Sequence, residues 1–177
     1  MSKKIHLIEA ATRVIVKNGV NKLTLDKVAK EANVSKGGLL YHYGTKDALI
    51  KAMNVYVMES FRALIDNHVE TGHTYHEAYL LATLDTLNEK TILFDITTSL
   101  LAAIATNRDV LNIWRDEYIF LNQQFSKEDY PQEYTVLVKT VCDGLWFSNL
   151  FSFHHTDQQD ERKMIHYLLE LLGKGGL

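Results

Sequence analysis

The sequence predicts an all-α protein, and three observations lead to this prediction. Pro131 is the only proline, and no glycine occurs from Thr74 to Asp143, so long stretches of the chain lack residues that break helices. Leu, Ala and Ile recur at helical spacing with polar residues between them. The period-two alternation and tight-turn dipeptides that are typical of paired strands do not occur.

Cap residues and apolar periodicity predict nine helices. The first runs from about Lys4 to Asn18, and Gly19 is expected to end it in a left-handed conformation. Thr24 and Ser35 are expected to cap two short helices, over 25–32 and to about residue 43, with Asn33 in the tight turn between them. Thr45 is expected to cap a long fourth helix. The remaining helices are predicted at about 75–87, 91–105, 109–125, 132–153 and 157–172.

Length and composition exclude several classes of protein. A chain of 177 residues that is 46% hydrophobic fits one compact domain, or one domain with a small module, and not a disordered protein. No stretch approaches the roughly 18 apolar residues of a membrane span, and charges in the first residues argue against a signal peptide. A single cysteine, Cys142, cannot form an internal disulfide. We therefore expect a cytoplasmic protein.

The net charge of −3 hides a segregated distribution. Residues 1–53 contain ten Lys and Arg against four Asp and Glu, a local charge of +6. Residues 54–177 contain nine basic and eighteen acidic residues, a local charge of −9. A basic first part followed by an acidic remainder indicates two parts with different partners, although surface charge also fluctuates along any chain.

The segment TLDKVAKEANVSKGGLLYHYGTK, residues 24–46, has the pattern of a helix-turn-helix, in which a three-residue turn joins two short helices. Lys36 begins the second of these helices, where a recognition helix enters the major groove. Gly37 and Gly38 remove side chains that would hold the main chain away from DNA. Each also lowers helix propensity by about 1 kcal/mol relative to alanine. The side chains expected to form a small core are Val28, Ala29, Ala32, Val34 and either Leu39 or Leu40.

These residues resemble the DNA-binding domain of the tetracycline-repressor (TetR) family of bacterial regulators. The resemblance covers about a third of the chain. The matching residues are Ile8-Glu9-Ala10-Ala11, Gly19, Leu23 through Ala29, Ala32, Val34 through Tyr43, and Lys46-Asp47-Ala48-Leu49. It implies a helix-turn-helix domain over residues 1–46 and a helical effector-binding and dimerisation domain over 47–177. It also implies a homodimer that binds a palindromic operator as a repressor or activator and releases it when a small molecule binds.

Candidate DNA contacts follow from the helix starts, where anions are favoured, and from the resemblance. Lys36, Gly37 and Tyr41 would face base edges and sugars, whereas Tyr43 is expected to be a buried wedge. The lysines could instead be ordinary solvated charges, and Tyr41 could pack in the core. Gly44 departs from the phenylalanine or proline that is common in the family. The candidates are Thr24, Ser35, Lys36, Gly37, Gly38, Tyr41, His42, Thr45 and Lys46.

The remainder of the chain contains features of a sensing and dimerising domain. The helix over 134–153 is apolar nearly all round, so both sides need cover, either from a partner chain or within its own domain. In the TetR family the last two long helices of each subunit pair, and this pattern agrees with that arrangement. An effector pocket would lie within residues 45–153, although its aromatic residues could equally be ordinary core. Its candidate lining is Tyr56, Tyr79, Phe94, Trp114, Tyr118, Phe125, Asp143 and Trp146.

Among these, Asp143 lies within the most apolar predicted helix. A buried carboxylate needs a partner, so Asp143 could face a cationic effector or a neighbouring donor, or it could be partly exposed.

Neither a catalytic site nor a cofactor site is expected. His73 and His76 stand three apart, and His154-His155 precede Asp157, but no further ligand stands at a spacing diagnostic of a metal site. No phosphate-binding loop or nucleophile elbow occurs. The alternative to a ligand-responsive DNA-binding regulator is a helical ligand- or protein-binding module whose DNA-binding head has degenerated.

Overall fold

The computed structural model describes residues 2–88, 94–97, 100, 108–151, 153 and 158–173. No strand occurs within these ranges, and residues 94–97 are helical. A single 3-10 turn spans Val20–Lys22. The helices are α1 (Lys3–Asn18), α2 (Leu25–Glu31), α3 (Lys36–His42), α4 (Lys46–Glu70), α5 (Tyr75–Asn88), α6 (Arg108–Phe125), α7 (Gln132–Leu150) and α8 (Gln158–Gly173). The all-α prediction is confirmed.

The ends of the helices follow the local signals in the sequence. Gly19 ends α1 with a φ of 81°, a positive value that glycine adopts without steric cost. Its ψ of 154° lies outside the left-handed helical region that we expected. Asn33 in the turn between α2 and α3 has φ of 54°, as predicted. The helix predicted over 91–105 lies mostly outside the described residues.

The chain divides into two compact units. Unit 1 draws its described residues from Met1–Glu59 and Ile92–Asp116, and unit 2 from Ser60–Thr91 and Glu117–Leu177. In unit 1, α1 packs against α2, and α2 packs against α3. The fully or almost fully buried side chains of this core include Leu7, Ile8, Ala11, Val28, Ala29, Leu39 and Leu49.

Two details of the predicted helix-turn-helix core are resolved by the structure. Leu39 is completely buried, whereas Leu40 lies at the surface, so Leu39 is the side chain that anchors α3. Val34 was expected in the core, and this expectation is wrong. Its side chain is 39% exposed, because Val34 lies in the tight turn just before α3 begins.

In unit 2, α5 packs against both α7 and α8, and a buried histidine joins α5 to its neighbours. His76 is 0% exposed, its Nδ1 lies 2.6 Å from a Glu128 carboxylate oxygen, and its Nε2 lies 2.9 Å from Thr135 Oγ1. Because a carboxylate only accepts, Nδ1 is the donor in this contact. The backbone N–H groups of Tyr75 and His76 also donate to Glu128, which therefore caps the start of α5.

We expect Glu128→Ala to lower the free energy of unfolding by about 2–4 kcal/mol. The substitution leaves two backbone donors and a buried ring nitrogen without their acceptor. Glu133, an exposed acid in the first turn of α7, provides the matched control. Glu133→Ala removes the same charge from the surface and should change stability by less than about 0.5 kcal/mol. Urea unfolding followed by circular dichroism measures both, and equal losses would contradict the capping role of Glu128.

Candidate functional site

The three residues predicted to cap α2, α3 and α4 do so. Thr24 Oγ1 accepts a hydrogen bond from the backbone of Lys27 at 3.3 Å, and Ser35 Oγ accepts one from Gly38 at 3.1 Å. Thr45 Oγ1 accepts one from the backbone N–H of Ala48 at 3.0 Å. In each hydroxyl the O–H is a donor separate from these accepting lone pairs. A capping hydroxyl can therefore also donate to an anion.

The two candidate lysines have different surroundings. Lys36 Nζ lies 2.8 Å from one carboxylate oxygen of Asp26 and 3.2 Å from the other, and both side chains are exposed. Lys46 Nζ donates to the backbone carbonyl of Val20 at 3.0 Å. Lys46 therefore ties the start of α4 to the 3-10 turn, and its ammonium has two further N–H donors to offer.

The aromatic residues at the end of α3 face in two directions. Tyr41 is 86% exposed, so its ring lies in solvent and not in the core. The edge of its ring meets His42 with centroids 5.1 Å apart. Tyr43 is buried as expected for a wedge, its hydroxyl reaches the carbonyl of Lys4 at 3.5 Å, and burial raises its pKa. Unit 1 thus displays the tyrosine of α3 and buries the one that directly follows this helix.

The glycines of this region are not all required by the fold. A Cβ placed on Gly37 or Gly44 would meet no atom within 4 Å, and neither residue has a left-handed φ. A Cβ on Gly38 would lie 3.2 Å from Ser35 Oγ, which is a tight contact with the side chain that caps α3. Nothing within unit 1 therefore explains why Gly37 lacks a side chain.

An open groove of about 850 Å³ runs beside α3 in unit 1. Four candidate residues, Ser35, Gly38, Tyr41 and His42, line it together. Two other lining residues are in contact, because His6 Nε2 lies 2.9 Å from the carbonyl oxygen of Ala32, which ties α1 to the turn before α3. The other lining residues are Lys3, His6, Leu7, Ala32, Asn33 and Val34.

The predicted effector-lining residues fall in both units. Tyr56, Phe94 and Trp114 belong to unit 1, where the Trp114 indole N–H donates to Asn54 Oδ1 at 2.8 Å. The others belong to unit 2: Tyr79, Tyr118, Phe125, Asp143 and Trp146.

Several of the unit 2 candidates pack edge to face. The ring centroids of Tyr79 and Phe125 lie 5.2 Å apart, and both side chains are buried. Phe61 meets Tyr79 at 5.5 Å and Trp146 at 6.2 Å. Phe61 was not among the candidates. Phe61, Tyr79 and Trp146 therefore form an aromatic cluster, and Phe61 belongs to it through its ring contacts with the other two.

Asp143 has a neighbouring donor in the structure. The Tyr118 hydroxyl donates to Asp143 Oδ1 at 2.6 Å. Burial raises the pKa of the Asp143 carboxyl, while this hydrogen bond and the charge of Lys139 oppose the rise. Lys139 Nζ lies 5.1 Å from the centre of the Tyr118 ring and donates to Asn122 at 2.6 Å. Asp143 is thus a half-buried carboxyl that accepts from a tyrosine hydroxyl and lies within the influence of the Lys139 charge.

A second acidic site in unit 2 was not predicted. Glu117 is almost fully buried, and Arg62 donates to both of its carboxylate oxygens, from Nε at 2.8 Å and from a terminal nitrogen. The Arg62 guanidinium also lies 3.7 Å from the centre of the Phe120 ring. No sequence signal joins Arg62 to Glu117, because 55 residues separate them.

The histidines considered as metal ligands have protein partners. His76 contacts Glu128 and Thr135, and His73 lies 3.7 Å from Glu77. In the described part of the chain, no group of three or more His, Cys, Asp and Glu side chains is arranged to hold a metal ion. Residues 154, 155 and 157 lie outside it.

Cys142 is buried, and burial raises its thiol pKa to about 12. None of the described helices has both the length and the apolar character needed to cross a bilayer.

Two family models match the chain. Residues 7–53 match the model described as bacterial regulatory proteins, tetR family. Residues 73–173, more than half of the chain, match the model described as tetracyclin repressor-like, C-terminal domain. The chain belongs to the TetR family. The two matched segments contain the helix-turn-helix of unit 1 and most of unit 2 of this TetR-family protein.

Individual relatives agree with this assignment. An uncharacterized HTH-type transcriptional regulator of Haemophilus influenzae is 29% identical over 73 residues, 41% of this chain and 39% of that protein. The probable acrEF/envCD operon repressor of Escherichia coli K12 is 36% identical over 66 residues, 37% of this chain and 30% of that protein. The aligned segments therefore span well under half of these relatives.

A solved structure shows that the likeness in fold extends over nearly the whole chain. The multidrug binding protein EbrR, complexed with malachite green, has 24% sequence identity to this TetR-family chain and a TM-score of 0.69. The match covers 95% of this chain and 98% of EbrR. EbrR has also been solved with imidazole and with ethidium.

We expect Gly37→Ala to stabilise the unbound protein by about 0.5–1 kcal/mol, because alanine has the higher helix propensity and its Cβ meets open space. Gly38→Ala is the matched control within the same helix. It should gain less or lose stability, because its Cβ presses on the capping Ser35 hydroxyl. Urea unfolding measures both variants. A loss of stability in Gly37→Ala would show that the fold itself requires this glycine.

Proposed function

We propose that this TetR-family chain is a transcriptional regulator that binds operator DNA through α3 and represses transcription until a small molecule releases it. One observation supports the DNA-binding role above the others. Lys36 and the highly exposed Tyr41 stand on a helix whose Gly37 meets only open space. Such a surface lets the backbone of α3 approach a duplex closely while two side chains reach its groove.

Charge and local stability support the same role. The first 53 residues have a local charge of +6, the sign that attracts a polyanion. Gly37 lowers the helix propensity of α3 by about 1 kcal/mol and brings no compensating contact within unit 1. The proposed contact with DNA accounts for Gly37, because a Cβ at this position would hold the DNA away from the backbone of α3.

We propose a homodimer that forms through α7 and α8. On α7, Val136 and Phe147 are exposed. Phe147 stacks with Phe151, just after the helix, and Phe151 stacks with Phe153, with centroids 6.3 and 5.3 Å apart. On α8, Tyr167 is exposed. Exposed apolar groups of this size are typical of association surfaces. A two-fold dimer implies an operator with inverted half-sites about 34–36 Å apart or a multiple of that spacing.

The alternative of a module with a degenerate head has less support. Gly44 and the acidic remainder of the chain motivated it, and Gly44 has no left-handed φ and has free space around it. The match of residues 7–53 to the amino-terminal family model also favours a working head.

We expect the whole chain to select an inverted repeat from a randomised duplex library, with steeply salt-dependent affinity. The double variant Lys36→Ala/Tyr41→Ala should bind the selected site at least about tenfold more weakly, because each base contact is worth about 1–3 kcal/mol. Lys127→Ala removes an exposed lysine of unit 2 and serves as the control. Fluorescence anisotropy measures the affinities. Unchanged binding by the double variant would contradict the proposed role of α3.

We further propose that the effector is an aromatic cation that binds in unit 2 beside Asp143. EbrR, which shares this fold, binds malachite green and ethidium, and both dyes are aromatic cations. In this chain the half-buried Asp143 carboxyl accepts a hydrogen bond from the Tyr118 hydroxyl, and Lys139 shows that this place already attracts a cation. Unit 2 also contains the aromatic cluster of Phe61, Tyr79 and Trp146. A carboxylate together with aromatic faces is a suitable environment for an organic cation.

Ethidium binding tests this effector class. Because burial raises the Asp143 pKa, the carboxylate gains its proton at a higher pH than an ordinary aspartate, and affinity for a cation should fall as the pH drops through that raised value. Asp143→Asn should weaken binding about tenfold, or about 1.4 kcal/mol, and flatten the pH dependence. Asp129→Asn, an exposed acid of unit 2, is the control. Equal ethidium fluorescence titrations of Asp143→Asn and the unsubstituted chain would contradict the site.

A further inference from the structure

We propose that Asp26 and Lys36 together read one G·C base pair of the operator. In this arrangement Lys36 donates to guanine and Asp26 accepts from cytosine. The inference rests on the proposed DNA binding and adds to it a residue, Asp26, that determines specificity. It also names the base pair that this residue selects.

The two side chains form an ion pair at the surface of the helix-turn-helix. Asp26 lies in the first turn of α2 and Lys36 is the first residue of α3. Their charged atoms are 2.8 and 3.2 Å apart, and their side chains are 66% and 61% exposed. An ion pair this exposed contributes little to folding stability. The pairing of Asp26 with Lys36 therefore adds little to the stability of unit 1, and Asp26 otherwise makes only the small helix-dipole contribution of any acid in the first turn of α2.

An acidic side chain at this place has a cost for DNA binding. A carboxylate repels phosphates, and residues 1–53 contain only four acids, Glu9, Asp26, Glu31 and Asp47. Glu31 pairs with Arg13 and Lys17 of α1. Asp26 instead holds the ammonium of the residue placed to enter the major groove. A gain in sequence discrimination would offset the loss of general affinity.

The ion pair complements the major-groove edge of a G·C pair. That edge presents two acceptors on guanine, N7 and O6, followed by the donor N4 of cytosine. Guanine O6 and cytosine N4 are hydrogen-bonded to each other in the base pair and so lie about 2.9 Å apart. The Lys36 donor and the Asp26 acceptor are 2.8 Å apart, so the four atoms can close a ring of hydrogen bonds. Lys36 has three N–H donors, and its remaining donor can reach N7.

An A·T pair fits this ion pair less well. Its edge presents an acceptor, a donor, an acceptor and then the thymine methyl group. If Asp26 accepts from adenine N6, the two acceptors of the A·T edge, adenine N7 and thymine O4, lie on opposite sides of that donor. Lys36 then cannot donate to two adjacent acceptors as it can on guanine. The thymine methyl group would also crowd the lysine stem if Lys36 took the thymine side. The order of two acceptors followed by a donor therefore favours G·C.

Binding-site selection with variants of the whole chain tests the inference. Asp26→Ala should lose the preference for G·C at one position of each half-site, a change of roughly 5- to 150-fold in discrimination. Asp26→Asn should move that position toward A·T, because an asparagine amide pairs with adenine N6 and N7. Both variants should bind unrelated duplex DNA more tightly than the unsubstituted chain, because a negative charge is gone.

Asp109→Asn is the matched control. Asp109 forms an exposed ion pair with Lys51, also at 2.8 Å and also in unit 1, but on α6 and α4. Its substitution removes the same charge and should leave the preference at every position unchanged. An Asp26→Ala variant that selects the same sequence as the unsubstituted chain would overturn the reading role while leaving DNA binding intact. Failure of the unsubstituted chain to select any sequence would overturn both proposals.

Discussion

The packing of α3 on the rest of unit 1 through Leu39 is the interaction on which the candidate DNA-binding surface depends. A helix of seven residues with two glycines has little stability of its own, since short helices form in water only when tertiary contacts support them. Leu39 is completely buried and Tyr43 almost so, and burial of such a side chain contributes about 2 kcal/mol. With these two residues facing inward, helical geometry turns Gly37 and Tyr41, each two residues from Leu39, outward. The same two contacts thus stabilise the helix and orient its exposed face.

Signals within a few residues made much of this unit predictable from sequence. Thr24, Ser35 and Thr45 cap the helices that they were expected to cap, because an N-cap acts on backbone groups two or three positions away. The choice between Leu39 and Leu40 could not be made, since adjacent helical residues differ by about 100° in direction and both are leucine. Val34 was misplaced because an apolar residue in a turn has no periodicity to locate it.

Contacts between residues that are far apart in the sequence could not be predicted from sequence patterns. Glu128 caps α5 from more than fifty residues away, and Arg62 meets Glu117 at a similar separation, so no spacing rule connects them. For Asp143, the sequence predicted that a buried carboxyl needs a partner but could not identify Tyr118. The Tyr118 hydroxyl uses one acceptor site of Oδ1, and an ionised carboxylate has further acceptor sites on both of its oxygens.

The open space around Gly37 has a consequence for engineering. Replacement of Gly37 is expected to strengthen the free fold, and the proposed contact with DNA requires this residue to stay small, so the two together would set stability against activity at one position. Selection of this protein for heat resistance alone, or design that scores only the isolated chain, would favour filling that space. The resulting variants would be more stable, and their proposed binding to operator DNA would be weaker. A useful stabilisation strategy would leave α3 untouched and work on surfaces remote from the groove beside it.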